Sequence, residues 1–381
     1  MAEAGIKVLM MGGRRCGKTS ALASIYNQMT EGPITRILTV TDQSNERVTL
    51  SNKTLELKNF IRKQGNRHFL VDENPTKDYG LYVLRLQIPG THDTMDLTFH
   101  DTAGEFFDSN NVHSSEIKEY MKECDVFVVA VDSTYLMAGE DEENEAANVT
   151  DQINKFFTEI DTQKPESKLV IFVPIKCEKW IRERKADALT EKVEKTYEKA
   201  INFLRKRNNT EIWVIPIQTA GDIVFSALKP SYYIVDHKKG TSRRCTRITD
   251  TMVTMENGEN HILSDNEMIQ EDSTAIFNGT SIQRRSPWYQ ILPDIGMPSP
   301  AYRPVNCEQL PLHILRFMFK KKKDDAFGGL LGKLFNTFFG SITKEEMSDV
   351  MARLSDAHLI KDSGDGIKEL TRKTYAETGK K

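Results

Sequence analysis

No stretch of the chain approaches the roughly 18 consecutive apolar residues needed to cross a bilayer. Its five cysteines, Cys16, Cys124, Cys177, Cys245 and Cys307, are scattered and form no CxxC pair. An odd, dispersed set gives no disulfide framework and reads as reduced thiols in a cytoplasmic protein. The N-terminal segment carries acidic Glu3 and only a short apolar run, better read as a first strand than as a signal peptide. Neither charge is in clear excess: 52 Lys and Arg face 55 Asp and Glu, for a net charge of −3 and a pI near 6.3. The chain therefore has no general basic footprint, and a nucleic-acid partner is not expected. What remains is 381 residues, 39% apolar and 28% charged, which suits one large globular domain with insertions, or two domains.

The clearest local signal lies near the start. Ile6-Lys7-Val8-Leu9-Met10-Met11 is the short apolar run that a central parallel strand requires. It leads into Gly12-Gly13-Arg14-Arg15-Cys16-Gly17-Lys18-Thr19, and a helix-forming segment opens at Ser20. This is GxxxxGK[ST] in strand–loop–helix context. Glycines let main-chain N–H groups curl inward around a phosphate, and the helix start adds partial positive charge. Lys18 is suited to the β- and γ-phosphates, and the Thr19 hydroxyl to a Mg²⁺ ion. Residues Gly12 through Ser20 are thus the candidate phosphate site.

Downstream, the strand-like Met95-Asp96-Leu97-Thr98-Phe99-His100 ends in Asp101-Thr102-Ala103-Gly104. At this motif the chain resembles the translation-factor-class GTPases, Ras-like in particular, with the further look of divergent bacterial conflict-system members. The resemblance implies a doubly wound α/β domain with a mostly parallel sheet, GTP or GDP as ligand, Mg²⁺ as cofactor, and a nucleotide-dependent switch that hydrolyses GTP. It implies that Asp101 holds a Mg²⁺ water and that the Gly104 N–H senses the γ-phosphate. Thr76, ahead of the strand-like Leu81–Ile88 run, resembles the first-switch threonine and would complete the metal shell. Thr39 and Thr41 are its rivals, and a turn or capping role is the plainer one. The long spacing from Thr19 to Thr76 implies an insertion at about 43–70, read as helical.

The base-reading motifs are imperfect. After the strand Leu169–Ile175 comes Lys176-Cys177-Glu178, where the family shows [NT]KxD. By that resemblance Lys176 packs its stem over the purine. Glu178 replaces the aspartate that reads guanine, with an extra methylene in its reach. After the strand Ile212–Ile217, Thr219-Ala220 resembles the weak SA[KL] signature, with the Ala220 N–H directed to the guanine oxygen. For hydrolysis, Glu105 stands where Ras-like proteins carry the water-orienting Gln, and its charge is repelled by phosphate. Arg15 matches the internal arginine finger of guanylate-binding proteins, with Arg14 second. The plainer role for Arg15 is a solvent-facing guanidinium paired with the acidic Glu140-Asp141-Glu142-Glu143 loop or another carboxylate. Two other readings stay open: an ATPase or kinase, with Arg243-Arg244 or Arg284-Arg285 as a basic lid, and a non-hydrolysing nucleotide-dependent scaffold.

Domain organisation is expected as a G domain over 1–320, with a second insertion at about 222–300, and a helical extension over 321–381. The insertion is polar and reads as irregular, save for a hairpin at 251–258 with an Asn257-Gly258 turn. A closing helix is read over 306–318, with Leu312, Leu315 and Phe319 on one face. Beyond Lys320-Lys321-Lys322-Lys323, residues 327–342 carry a helical apolar stripe, interrupted on its other face by glycines. That stripe needs an apolar partner: its own G domain, an effector or second copy in a homodimer, or a membrane surface. A capped helix is expected over 343–360.

Overall fold

The computed structural model describes residues 6–36, 38–43, 47–64, 68–70, 80–87, 94–102, 124–159, 167–207, 209–229, 232–236, 238–248, 253–255, 259–264, 266–271, 274–277, 280–283, 285–293, 300–323, 352 and 359–371. Strand β1, Ile6–Met11, lies between two parallel partners, Thr94–Asp101 and Val126–Asp132. Lys168–Ile175 and Thr210–Val214 extend the parallel set on one side. On the other, Gly80–Gln87 and Thr39–Asp42 turn antiparallel. With Lys368–Glu369 at the edge beside Thr210–Val214, the result is a mixed eight-stranded sheet.

Period-2 alternation sends Val8 and Met10 to one face of this sheet and Leu9 and Met11 to the other. Helix α1, Lys18–Glu31, and the helix Gln309–Lys323 cover the first face. Helices Thr150–Glu159, Ala186–Thr196 and Glu198–Arg205 cover the second. Both faces are therefore dry, as strands apolar on both sides demand. On the second face Phe157 meets Phe127 edge-on at 5.8 Å, and Phe172 meets Tyr197 at 5.0 Å. Each such ring stabilises the fold by about 1.5–3 kcal/mol relative to exposure. The doubly wound α/β expectation holds. All five cysteines are buried, and none is in a disulfide.

The first insertion is helical over Arg47–Gln64, as expected, and then adds a strand, His68–Leu70. The second departs from the irregular reading, because it is built largely of strands. Ile223–Lys229 and Ser286–Ile291 pair antiparallel, and Ser286–Ile291 also takes His68–Leu70. The two insertions thus meet in one three-stranded sheet. Between them, Tyr232–Asp236, Thr241–Ile248, Val253–Met255, Asn260–His261 and Glu267–Glu271 make a five-stranded antiparallel sheet. The hairpin read at 251–258 is present as Val253–Met255 against Asn260–His261; its Asn-Gly turn lies outside the described residues. The strands escape a composition reading because, among the described residues, their buried apolar core is only Ile234, Cys245 and Val253.

Pro311 falls in the first turn of Gln309–Lys323, where a missing N–H costs nothing. Leu312 and Leu315 are buried as expected; the Phe319 side chain lies outside the described residues. So do the stripe at 327–342 and nearly all of 343–358. Residues 359–371 correct the expectation of a helical extension. Gly364 and Gly366 take positive φ, so the chain turns there instead of continuing a helix. Lys368–Glu369 then adds an antiparallel edge strand beside Thr210–Val214. Among the described residues no helix is long and apolar enough to cross a membrane.

Candidate functional site

The loop after β1 closes on itself. Gly12 at φ 143° and Gly17 at φ 107° adopt the left-handed half of conformational space that glycine reaches without strain. Space enforces the same choice. A Cβ on Gly12 would stand 2.6 Å from the Ala130 carbonyl oxygen, and one on Gly13 would stand 1.9 Å from that of Ala147. Arg15, at φ 60°, shares the turn without being glycine. Lys18 is buried, and its ammonium donates to the carbonyls of Gly12 at 2.9 Å and Gly13 at 3.1 Å. Thr19 donates its hydroxyl to Asp101 Oδ2 at 2.8 Å, although 82 positions separate them. Thr102 fixes the strand end by donating to the Met10 carbonyl at 2.7 Å. The sheet thus places Lys18, Thr19 and Asp101 together, at the carboxyl ends of adjacent parallel strands. In doubly wound sheets that is where ligands sit. Thr19 and Asp101 are hard oxygen donors, the chemistry that Mg²⁺ requires. Ala103, Gly104, Glu105 and Thr76 lie outside the described residues.

At the other end of the site, Lys176 sits at φ 55°, directing its side chain back over the loop. Its ammonium meets Asp132 Oδ2 at 2.9 Å and the Arg15 carbonyl at 3.1 Å. Its stem lies beside Gly17, where an added Cβ would come within 3.5 Å of Lys176 Cε. Asp132 is itself held: its N–H donates to Asn148 Oδ1, and Asn148 Nδ2 donates to its carbonyl. Glu178 is fully inside and accepts from the Ala220 N–H at 3.3 Å. Burial pushes its carboxyl up to about 7, against the pull of the Ala220 and Gly221 amides and of Arg182. The Ala220 N–H that the resemblance aims at guanine therefore points at Glu178 in this state. Thr219 contributes its carbonyl to Ser24, whose hydroxyl also accepts from Tyr302 at 2.9 Å. Arg182 spans the Gly221 carbonyl and Asp222 Oδ1.

Arg14 and Arg15 are exposed on the loop. The acidic loop suggested for Arg15 has another partner: Glu143 is chelated by Arg285, at 2.7 and 3.0 Å. Arg243 is likewise held by Glu267 at 2.6 Å. Two arginines assigned to a kinase lid are thus in ion pairs; Arg284 and the Arg244 side chain lie outside the described residues. Sequence reasoning missed Asp132, Asn148, Ser24, Arg182 and Tyr302. A signal existed for the first alone: Asp132-Ser133-Thr134 at the end of a buried strand is a helix cap, and Asp132 does accept from the Thr134 N–H.

A family model described as Double-GTPase 2 matches residues 7–216, more than half of the chain. The match begins in β1 and ends just after the strand Thr210–Val214, and it bears out the resemblance to P-loop GTPases. No curated protein matches. Among solved structures, the Saccharomyces cerevisiae Ski7 GTPase-like domain, bound to GDP and inorganic phosphate, is 11% identical with a TM-score of 0.32, covering 77% of this chain and 76% of that one. A signal recognition particle receptor SRβ–GTP/SRX complex from Chaetomium thermophilum is 12% identical with a TM-score of 0.32, covering 57% and 92%. The bacterial dynamin GTPase LeoA from ETEC is 14% identical with a TM-score of 0.28, covering 56% and 30%.

Proposed function

The chain belongs to the Double-GTPase 2 family and is a GTP-binding protein of the P-loop class, and on that premise we propose that it hydrolyses GTP as a Mg²⁺-dependent switch. The observation that carries this reading is the meeting of Lys18, Thr19 and Asp101 at the strand ends. In this state the Lys18 ammonium satisfies two loop carbonyls, and phosphate oxygens would take their place. Thr19 and Asp101 are the residues that would hold the metal, with Thr76 as the proposed third group. When bound, Mg²⁺ supplies charge neutralisation across the β- and γ-phosphates. The loop's main-chain amides orient the phosphate chain, and the Lys18 ammonium takes up charge that builds on it. Arg15, exposed on the loop, is the proposed internal finger, and the Gly104 N–H the proposed γ-phosphate sensor. The Lys176 stem would pack over the purine, with Glu178 and the Ala220 N–H of the Thr219-Ala220 turn meeting its edge.

One specific residue favours a second reading, a nucleotide-dependent scaffold that does not hydrolyse. Glu105 cannot both accept from water and approach a γ-phosphate without repulsion. Calorimetric titration with GTP, GDP and ATP, with and without Mg²⁺, tests binding and base choice. A phosphate-release assay separates switch from scaffold, with Lys18→Ala as the control. Binding without release sinks hydrolysis; no Mg²⁺-linked purine binding sinks both readings.

A further inference from the structure

We infer that Arg285, carried by the second insertion, is a positioning residue for the phosphate loop, acting through Glu143 and the helix Asp141–Asn148. At the start of that helix, Arg285 donates to Glu143 three times: from its main-chain N–H at 2.9 Å, Nε at 3.0 Å and an Nη at 2.7 Å. Tyr135 donates its hydroxyl to the Arg285 carbonyl at 2.7 Å, so backbone and side chain are both pinned. Glu143 also caps its own helix by accepting from the Glu140 N–H at 3.0 Å. Its carboxylate is only 6% exposed. Burial alone would raise its pKa, but the bonds from Arg285 and Glu140 outweigh it and leave the group below the ordinary range.

The far end of the same helix abuts the nucleotide site. The Ala147 carbonyl packs on Gly13 so closely that no Cβ fits between them. Asn148 exchanges two hydrogen bonds with the Asp132 backbone, Asp132 holds Lys176, and Lys176 holds the Arg15 carbonyl. About one helical turn, roughly 6 Å from Glu143 to Ala147, therefore links the ion pair to the loop. Loss of the Arg285 side chain leaves the Glu143 carboxylate nearly buried without its counter-charge, held only by the main-chain N–H groups of residues 140 and 285, and favours a shift of the helix that brings it to water. A shift of the helix moves Ala147 and Asn148 against the loop. The role rests on the nucleotide reading, since the loop it positions is the proposed phosphate site.

The full chain is measured in two ways: hydrogen exchange of residues 12–19 without nucleotide, and release of a fluorescent GDP. Arg285→Ala is expected to speed exchange at 12–19 and GDP release by about tenfold each. Exchange in the helix Glu198–Arg205 should stay unchanged. Arg285→Lys, which keeps the charge but not the fork, should restore part of the effect. Adding Glu143→Ala to Arg285→Ala should cost little more than either alone. Unchanged exchange at 12–19, or acceleration everywhere alike, would overturn the inference. If Arg285→Ala does not fold, Tyr135→Phe gives the same localised effect at smaller size, and its absence is equally fatal. If the parent chain binds no GDP, the nucleotide reading fails, and the exchange measurement alone decides whether Arg285 positions the loop.

Discussion

The two ends of the candidate nucleotide site are built by different means. The phosphate-loop end uses consecutive residues and main chain: Gly12 and Gly13 without room for a Cβ, and one lysine donating to their carbonyls. The base end uses side chains gathered from distant positions, with Asp132 bridging Lys176 and a buried Glu178 tied to Ala220. Backbone geometry leaves little freedom of sequence, whereas a side-chain lattice can be rebuilt with other residues. The difference accounts for a phosphate motif in this chain that matches its pattern in full beside a base motif that matches only in part.

The comparison breaks first at Lys18. Lys18→Ala should weaken GTP binding at least about a hundredfold by calorimetry, because charge-assisted bonds to phosphate have no substitute there. An unchanged affinity would mean the loop does not hold phosphate. Asp132→Ala is the matching test at the base end. Lys176 is then released from a nearly buried pair, and GTP affinity should fall about tenfold, less than for Lys18. A loss as large as that of Lys18→Ala would erase the distinction.

Acid tests the segment behind the base end. His313 is held as a neutral ring: burial, then the Arg316 charge, lowers its pKa from 6.5 to about 4. The unfolded chain takes a proton below about 6.5 that the folded chain refuses, so stability is full above that pH and is lost as pH falls toward 4. Denaturant unfolding should show about 1 kcal/mol less stability at pH 5.5 than at pH 7.5, and His313→Asn should flatten that step. Glu178 gives the smallest effect. Its carboxyl, at about 7, must ionise to accept from guanine, so affinity should rise about threefold from pH 6.5 to pH 7.5. The reference is Glu178→Gln, which lacks this titration; parallel pH profiles would remove Glu178 from base reading.

Much of the fold was legible because buried strands announce themselves. Ile6–Met11, Val126–Asp132 and Lys168–Ile175 are apolar on both faces and could be little else. Lys18 and Thr19 were legible from the close spacing of GxxxxGK[ST], and Asp101 from the Asp-Thr-Ala-Gly motif at a strand end. Asp132, Asn148 and Tyr302 were not, since each acquires its role only from residues that the fold brings near. The second insertion hid its strands in polar sequence, as in Thr241–Ile248 and Glu267–Glu271. Residues 359–371 looked like the end of a tail, yet Leu370 bonds to the last parallel strand at 2.7 Å.

The pairing of His68–Leu70 with Ser286–Ile291 makes the two insertions one appendage threaded through the chain twice. Neither could have been acquired or lost as a cassette without orphaning a strand of the other. Deleting 222–300 would leave an unpaired edge at 68–70, open to adventitious pairing. Any exchange of this region between relatives has to transplant both pieces together.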